Sequence, residues 1–383
     1  MLRYLTAGES HGKSLTAIIE GLPAGVKFDI NRINEKMRRR QGGYGRGGRM
    51  AIEKDQVEFT AGLRGSMTLG SPLALVITNR DWQNWQQFMD PLQEPVSDEK
   101  NVTKPRPGHA DLAGALKYRH IDIRNILERA SARETAIRVA IGAIAQEFLL
   151  AFGIRVQGQV ASLENIQAKI ATDIVDDSLY DTSFYCMDIE ASEKMKTQVD
   201  EARQNGDSLG GVFQVVAEGL PPGLGSHVHW DRKLDGLISQ ALMSIPSVKG
   251  VEIGEGFLVS TLKGSKVHDE IAYSLEKSYY RKTNRAGGLE GGLTNGEKLV
   301  VRAAIKPIPT LLSPLESVDL ISKETVLAAV ERSDVSVVPA AAVVGEAAVA
   351  WVLAGAIMEK FGGDHLDETL DNYHRYLSYL QTR

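Results

Sequence analysis

Two histidines stand in glycine-bounded turns, His11 within Gly8-Glu9-Ser10-His11-Gly12-Lys13-Ser14 and His109 within Arg106-Pro107-Gly108-His109-Ala110-Asp111. Imidazole titrates near neutrality, so a histidine held in a turn over a bound substrate is a ready proton donor or acceptor. The first segment is one residue short of a phosphate loop, G-x-x-x-x-G-K-[ST], because Ala7 stands where the first glycine belongs. A shorter glycine-bounded loop still offers backbone N–H groups to an anion. The alternative is a plain turn whose histidine caps a helix.

Cationic chemistry is concentrated nearby. Arg32, Lys36, Arg38, Arg39, Arg40, Arg46 and Arg49 face a single acid, Glu35, over that stretch, and five of the nine residues from Gln41 to Arg49 are glycine. Guanidinium forks pair bidentately with phosphates and carboxylates, so this loop suits a polyanionic small molecule; a solvated, nucleic-acid-binding RGG-like segment is the rival. The whole chain carries 44 Lys and Arg against 49 Asp and Glu, a net charge of −5. A basic patch on an acidic chain points to one specific anion rather than to polyanions in general. Arg129 and Arg133 flank Ser131 where a helix is expected to begin, and cations there oppose the helix dipole unless they share an anion. Asn284–Gly296 is a second glycine-dense loop, followed by Lys306-Pro307-Ile308-Pro309-Thr310; together they suit the rim of a flat cofactor or, equally, a pair of hairpin turns. A dinucleotide fingerprint G-x-G-x-x-G after a strand is absent from the sequence.

The elements that must position these residues are mixed. Apolar residues at helical spacing run from 133 to 152, with Ser131 and Glu134 as a capping box, so a helix is expected to start near Ser131 and stop at Gly153. A second helix is expected from Pro339 to Lys360, ended by Gly362-Gly363. Strand candidates are Ala51–Glu53, Gln56–Thr60, Leu73–Thr78, Gly211–Val216, Gly256–Leu262 and Leu299–Ala304. Glu20-Gly21-Leu22-Pro23-Ala24-Gly25 recurs as Glu218-Gly219-Leu220-Pro221-Pro222-Gly223, and Arg129-Ala130-Ser131 is echoed by Arg332-Ser333-Asp334. The expectation is an α+β (mixed α/β) chain, one catalytic domain over 1–383 built from two pseudo-symmetric halves, about 1–160 and 207–383. A polar, irregular excursion is expected at about 166–205, and ligand sites where the halves meet.

One cysteine, Cys186, excludes an intrachain disulfide and a cysteine-rich metal site; no metal is expected. The N-terminus lacks a basic stretch followed by an apolar run, so the expected address is the cytoplasm. Val335–Met358 is the one membrane-like stretch, but Glu346 near its middle would cost ~2.5–3.5 kcal/mol on insertion scales, and no membrane association is expected.

Taken together, GESHG (8–12), RRRQGGYGRGGRM (38–50), RPGHADL (106–112), RASARET (129–135), SHVHWDRKLD (226–235), LMSIPSVKGVEIGEGF (242–257), NRAGGLEGGLTNG (284–296), KPIPTL (306–311) and ERSDVSVVPAA (331–341) closely resemble the chorismate synthase family, in order and over nearly the whole chain. The resemblance implies a β-α-β sandwich with internal pseudo-two-fold symmetry, assembled as a homotetramer. It implies an anti 1,4-elimination of phosphate from 5-enolpyruvylshikimate 3-phosphate to give chorismate, with reduced FMN required and no net redox change. It implies that Ser10, Arg40, Arg46, Arg49, Arg133 and Arg332 bind substrate anions. His11 would assist the departing phosphate, His109 would control flavin protonation, and Asp334 would help the flavin act as base. Arg129, Ala130, Ser131, Pro246, Ser247, Gly291, Lys306, Pro307, Ile308, Pro309, Thr310 and Arg332 match positions that line FMN; at Pro246-Ser247 other members carry an Asn-Ala or similar pair. Some members reduce their own flavin with NADPH; without a dinucleotide fingerprint, an external flavin reductant is the expectation here. The competing classes are a P-loop-like phosphotransferase and a basic RNA-binding protein.

Overall fold

Strict alternation builds the first sheet. Leu15, Ala17 and Ile19 pair in register with Ile77, Leu75 and Leu73, and all six side chains are buried on one face, while Ile18 between them is exposed. A period of two with one apolar face is what an antiparallel sheet covered on one side requires. The computed structural model describes residues 1–48, 52–175, 183–331 and 333–383. The sheet comprises β1 (Arg3–Ala7), β2 (Ser14–Glu20), β3 (Glu58–Ala61) and β4 (Leu73–Thr78), in the order β1-β2-β4-β3. The second comprises β5 (Arg155–Leu163), β6 (Gly211–Glu218), β7 (Val248–Ile253) and β8 (Leu299–Ile305), in the order β7-β8-β6-β5, with the two-residue strand Ile166–Gln167 beyond β5. Matching β1 to β5, β2 to β6, β3 to β7 and β4 to β8 gives the same order, all antiparallel. The fold is mixed α and β with internal pseudo-two-fold symmetry.

Among the described residues the α-helices longer than one turn are α1 (Ile30–Gln41), α2 (Trp82–Met89), α3 (Asp111–Tyr118), α4 (Arg124–Ala130), α5 (Thr135–Leu150), α6 (Ile189–Gln204), α7 (Leu234–Met243), α8 (Val338–Phe361) and α9 (Leu366–Gln381). α5 lies on β2 and β4, α8 lies on β5 and β6, and the two helices pack against each other, so sheets sandwich a helical layer that also includes α1 and α7. Small residues permit this approach: a Cβ on Gly142 of α5 would collide with Ala347 of α8, and one on Gly345 with the Phe213 ring on β6. α8 is long and apolar enough to cross a membrane, yet most of its length is buried here, with Val338, Ala342, Val349, Ala350, Leu353 and Ile357 all in the core. Glu346 near its middle is fully buried and accepts from Lys36 (2.5 Å), Gln146 (3.0 Å) and Gly158 N (2.8 Å).

Several expectations are corrected. Gly256–Thr261 is a 3-10 helix rather than a strand, because Gly254 and Gly256 both take positive φ and turn the chain out of the sheet. Ile52 is helical and Glu53 irregular, so the described part of Ala51–Glu53 is not a strand; Ala51 lies outside the described residues. The 166–205 excursion carries α6, whose Ala191, Met195, Val199 and Ala202 form a buried stripe at helical spacing. That stripe closes a second core with Val160, Leu163, Phe184 and Val338. Ser131 caps a 3-10 turn over 132–134 by accepting from Arg133 N (3.2 Å), and α5 begins only at Thr135.

Candidate active site

Between the halves opens a cleft of about 950 Å³, walled from the first half by the β1–β2 turn, the end of α1 and the α4–α5 junction, and from the second by 243–249, 306–310 and 330–337. Arginines and lysines dominate its charged lining: Arg40, Arg46, Lys100, Arg106, Arg124, Arg133, Lys249 and Lys306, against Glu128, Glu331 and Asp334. Such a wall in an acidic chain suits an anion.

The end of α1 supplies Arg40. Asp29 caps the helix by accepting from Asn31 N (2.9 Å), and Arg38, Arg39 and Arg40 occupy the last turn, where cations suit the dipole. Arg40 is buried; it donates from Nε to Thr135 Oγ1 (2.9 Å) and from Nη2 to Ala132 O (2.9 Å), while its Nη1 makes no hydrogen bond among the described residues. Burial, with Arg133 and Arg46 close by, pulls its guanidinium down to about 9 despite the opposing charge of Asp55. Arg133 is likewise buried, with Nη1 2.7 Å from both oxygens of Asp55 and Nε 2.9 Å from Asn79 Oδ1. Asp55 thus serves both cations, lying 3.5 Å from Arg40 Nη1.

The glycine-dense loop after Arg40 works by close approach. Gly43 has φ 101° and a Cβ there would meet Pro339 at 2.8 Å; Gly45 O accepts from Val335 N (2.8 Å) and Tyr44 N donates to Ser183 O (2.6 Å). The loop is a seam to the other half, not a solvated RGG tail. It delivers Arg46, whose Nη1 donates to Asp334 Oδ2 (2.7 Å), while Gly47 N donates to Asp334 Oδ1 (2.5 Å). Arg49 and Arg332 lie outside the described residues.

Both histidines line the cleft, and each is gripped by a carboxylate that sequence reasoning did not single out. His11 Nδ1 is 2.8 Å from Glu128 Oε1, its backbone N donates to Glu128 Oε2 (2.6 Å), and its ring stacks on Trp85 with centroids 4.0 Å apart. Ser10 N donates to Glu128 O (3.0 Å) and Ser10 Oγ to Ser131 Oγ (3.0 Å). The turn joins antiparallel β1 and β2, so no helix follows Lys13-Ser14 and the phosphate-loop geometry does not form. His109 Nδ1 is hydrogen-bonded to fully buried Asp111 and lies 3.2 Å from Arg106 Nη2; Arg106 Nη1 donates to Thr310 Oγ1 (2.7 Å). Burial works against the Asp111 carboxylate, but hydrogen bonds from His109 and Arg106 outweigh it and hold the group down to about 2. Asp111 follows His109 by two residues, a spacing that could have flagged it; Glu128 stands directly before Arg129, and Trp85 has no such signal.

The expected cofactor residues divide. Ala130, Ser131, Pro246, Ser247, Lys306, Ile308, Pro309 and Thr310 line the cleft. Ser247 takes φ 71°, a left-handed backbone unusual for a side-chain-bearing residue, and its carbonyl accepts from Lys306 N (3.0 Å). Burial, and then the charge of Lys249, lower the Lys306 ammonium. Three positions fall elsewhere. Arg129 ends α4, where its charge suits the dipole, and its guanidinium reaches back to Thr6 O (3.2 Å), Thr6 Oγ1 (2.7 Å) and Gly8 O (3.2 Å). Pro307 is exposed outside the lining, and Gly291, at the tip of the Leu289–Thr294 hairpin, is likewise not part of it. Gly287, Gly288 and Gly292 of the 284–296 segment serve close packing, a Cβ on Gly287 colliding with the Gly254 backbone, whereas one on Gly291 would meet nothing among the described residues.

Comparison with known proteins gives one answer. The family model described as chorismate synthase matches residues 2–358. The chain is 60% identical to chorismate synthase of Moorella thermoacetica and 57% identical to that of Desulforamulus reducens, each over 100% of both chains. A crystal structure of chorismate synthase superposes with a TM-score of 0.77 at 42% identity, covering 100% of this chain and 99% of that one.

Proposed function

The chain belongs to the chorismate synthase family and is a lyase of the shikimate route to aromatic compounds, and from that premise we propose that it converts 5-enolpyruvylshikimate 3-phosphate to chorismate by anti 1,4-elimination of phosphate. The observation that supports this most is the cationic cleft with two carboxylate-gripped histidines. A substrate with a phosphate and two carboxylates fits a wall whose buried Arg40 keeps an Nη1 without a hydrogen-bond partner among the described residues; charge-assisted donors of this kind are worth more than neutral ones.

The residues present also fit FMN. Ala130, Ser131, Pro246, Ser247, Lys306 and Ile308–Thr310 would hold it along the wall facing His109, Lys306 and Lys249 serving its phosphate. Reduced FMN, when bound, supplies electron density to the substrate as phosphate leaves. The chain's own part is placement and proton control. Arg40, Arg46 and Arg133, joined by Arg49 and Arg332, bind the anionic groups, with Ser10 beside them. His11 gives a proton to the departing phosphate oxygen. His109, tied to Asp111, holds a proton at the flavin side of the cleft. Asp334, anchored by Arg46 and Gly47, assists removal of the ring hydrogen. The reaction takes place in the cytoplasm in a homotetramer, with an external reductant keeping the flavin reduced.

Equilibrium titration tests the shared cleft. The visible band of oxidised FMN is followed as enzyme is added, with and without 5-enolpyruvylshikimate 3-phosphate. Mutual tightening by at least tenfold is expected. Independent binding of the two would contradict the reading.

A further inference from the structure

We propose that Glu128 is the positioning residue for His11: an anionic carboxylate that holds the ring through a proton on Nδ1 and leaves proton exchange with the occupant of the cleft to Nε2. This deepens the reading of the cleft as a phosphate-elimination site and rests on it. Both oxygens of Glu128 grip one residue, Oε1 at 2.8 Å from the ring nitrogen and Oε2 accepting the backbone N–H at 2.6 Å. The side chain is 2% exposed, so water does not compete for it.

The other neighbours of Glu128 fix its ionisation. The backbone N–H of His11 is an obligate donor. Arg124 Nη1, 3.6 Å from Oε1, is a lasting positive charge. Arg124 is itself held by Glu331 (2.8 Å) and by the Lys100 carbonyl (3.0 Å), so it does not swing away. A carboxylate surrounded by donors stays ionised and can only accept. The ring nitrogen that faces it must therefore carry the proton. Burial raises the Glu128 carboxyl, yet the bonds from His11 and the charge of Arg124 more than offset it, and the group lies below its ordinary range.

Orientation is fixed from a second side. Trp85 stacks on the imidazole at an interplanar angle of 27°, and Trp85 is in turn flanked by Arg124 (5.1 Å) and Lys100 (5.6 Å). The Ser10 N–H bonded to the Glu128 carbonyl ties the β1–β2 turn to the last turn of α4, so the backbone on both sides of the pair moves together. Fixing the tautomer through the distal nitrogen is the device by which carboxylates aim histidines in acid–base catalysis.

The test uses the full-length wild-type protein labelled with 15N-histidine. Long-range proton–nitrogen correlation spectra separate protonated from bare ring nitrogens, and the His11 signals are those lost in His11→Asn. A protonated Nδ1 is expected in the neutral ring; a bare Nδ1 would overturn the proposal. Glu128→Gln keeps the shape and removes the charge, so kcat should fall at least tenfold with the KM for 5-enolpyruvylshikimate 3-phosphate within twofold. Wild-type kcat, or a raised KM alone, would equally overturn it. If the wild-type protein eliminated no phosphate while Nδ1 proved protonated, the reading of the reaction would fail and the Glu128–His11 pair would stand.

Discussion

Replacing Arg40 by methionine separates a functional cation from a structural one. Arg40 is buried, and burial with the repulsion of Arg133 and Arg46 takes its guanidinium from its ordinary strongly basic value down to about 9. At 1.36 kcal/mol per pH unit that displacement is an unfavourable charge on the order of 5 kcal/mol in the folded state. A basic group with a lowered folded value destabilises fully below that value, and the cost fades only as pH rises from about 9 towards the ordinary arginine range. At pH 7 it is therefore present in full. Methionine removes it together with two hydrogen bonds, to Thr135 Oγ1 and Ala132 O, each contributing about 1 kcal/mol net. Neither loss leaves a serious orphan, because Thr135 Oγ1 still donates to Ala132 O (2.7 Å), and Asp55 keeps its two bonds from Arg133. The variant should be as stable as wild type or more stable by up to ~3 kcal/mol. Loss of a charged donor to the substrate costs roughly 1.5–3 kcal/mol, so kcat/KM should fall about 10- to 150-fold. Urea unfolding followed by tryptophan fluorescence, beside steady-state kinetics, reads both. A variant less stable by more than ~2 kcal/mol, or one with wild-type kcat/KM, would refute the reasoning.

Four further outcomes follow from the same geometry. His11→Ala and His109→Ala should each lower turnover with the oligomer intact by size-exclusion chromatography; a wild-type rate removes that residue from the chemistry. Asp334→Asn should lower kcat more than it raises KM in anaerobic steady-state kinetics, whereas an unchanged kcat with raised KM makes Asp334 a binding residue. The Asp111 carboxylate, held to about 2 against an ordinary 3.8, contributes about 2 kcal/mol that is present above pH 4 and lost as pH falls through 2. In urea unfolding the margin of wild type over Asp111→Asn should be full at pH 7 and shrink between pH 4 and 2. Gly142→Ala would help an exposed helix, but here the new methyl meets Ala347, so denaturation should show a loss of about 1–3 kcal/mol.

The sequence made apolar runs and turn chemistry legible. Leu73–Thr78 and Leu299–Ala304 read as strands because their inward faces are continuous, the second running one residue further to Ile305, and α8 is legible because Pro339 opens it and Gly362 closes it. β5 is not legible: Gln157 and Gln159 are buried in it, their Nε2 groups donating to Val175 O and Ala171 O, partners that local pattern cannot show. The histidines and arginines of the cleft announced themselves by residue type in glycine turns. The acids that hold them did not, since Asp55 meets Arg133 across 78 residues and Glu128 meets His11 across 117. Arg129 reads as lying at a helix start because Ser131 reads as a cap; the helix breaks at Ser131, and Arg129 lies in the last turn of the preceding helix instead. Glycine density over 284–296 suits a cofactor rim or a pair of hairpin turns equally; the chain forms the Leu289–Thr294 hairpin there, with Gly287 against the Gly254 backbone.

The most direct test of the central claim is anaerobic turnover of 5-enolpyruvylshikimate 3-phosphate with chemically reduced FMN, following phosphate release and chorismate absorbance together, beside a run with NADPH and oxidised FMN. The account predicts equimolar phosphate and chorismate with pre-reduced flavin and none with NADPH alone. Product in both runs would contradict the external reductant, and no product in either would contradict the assignment of the cleft to this elimination.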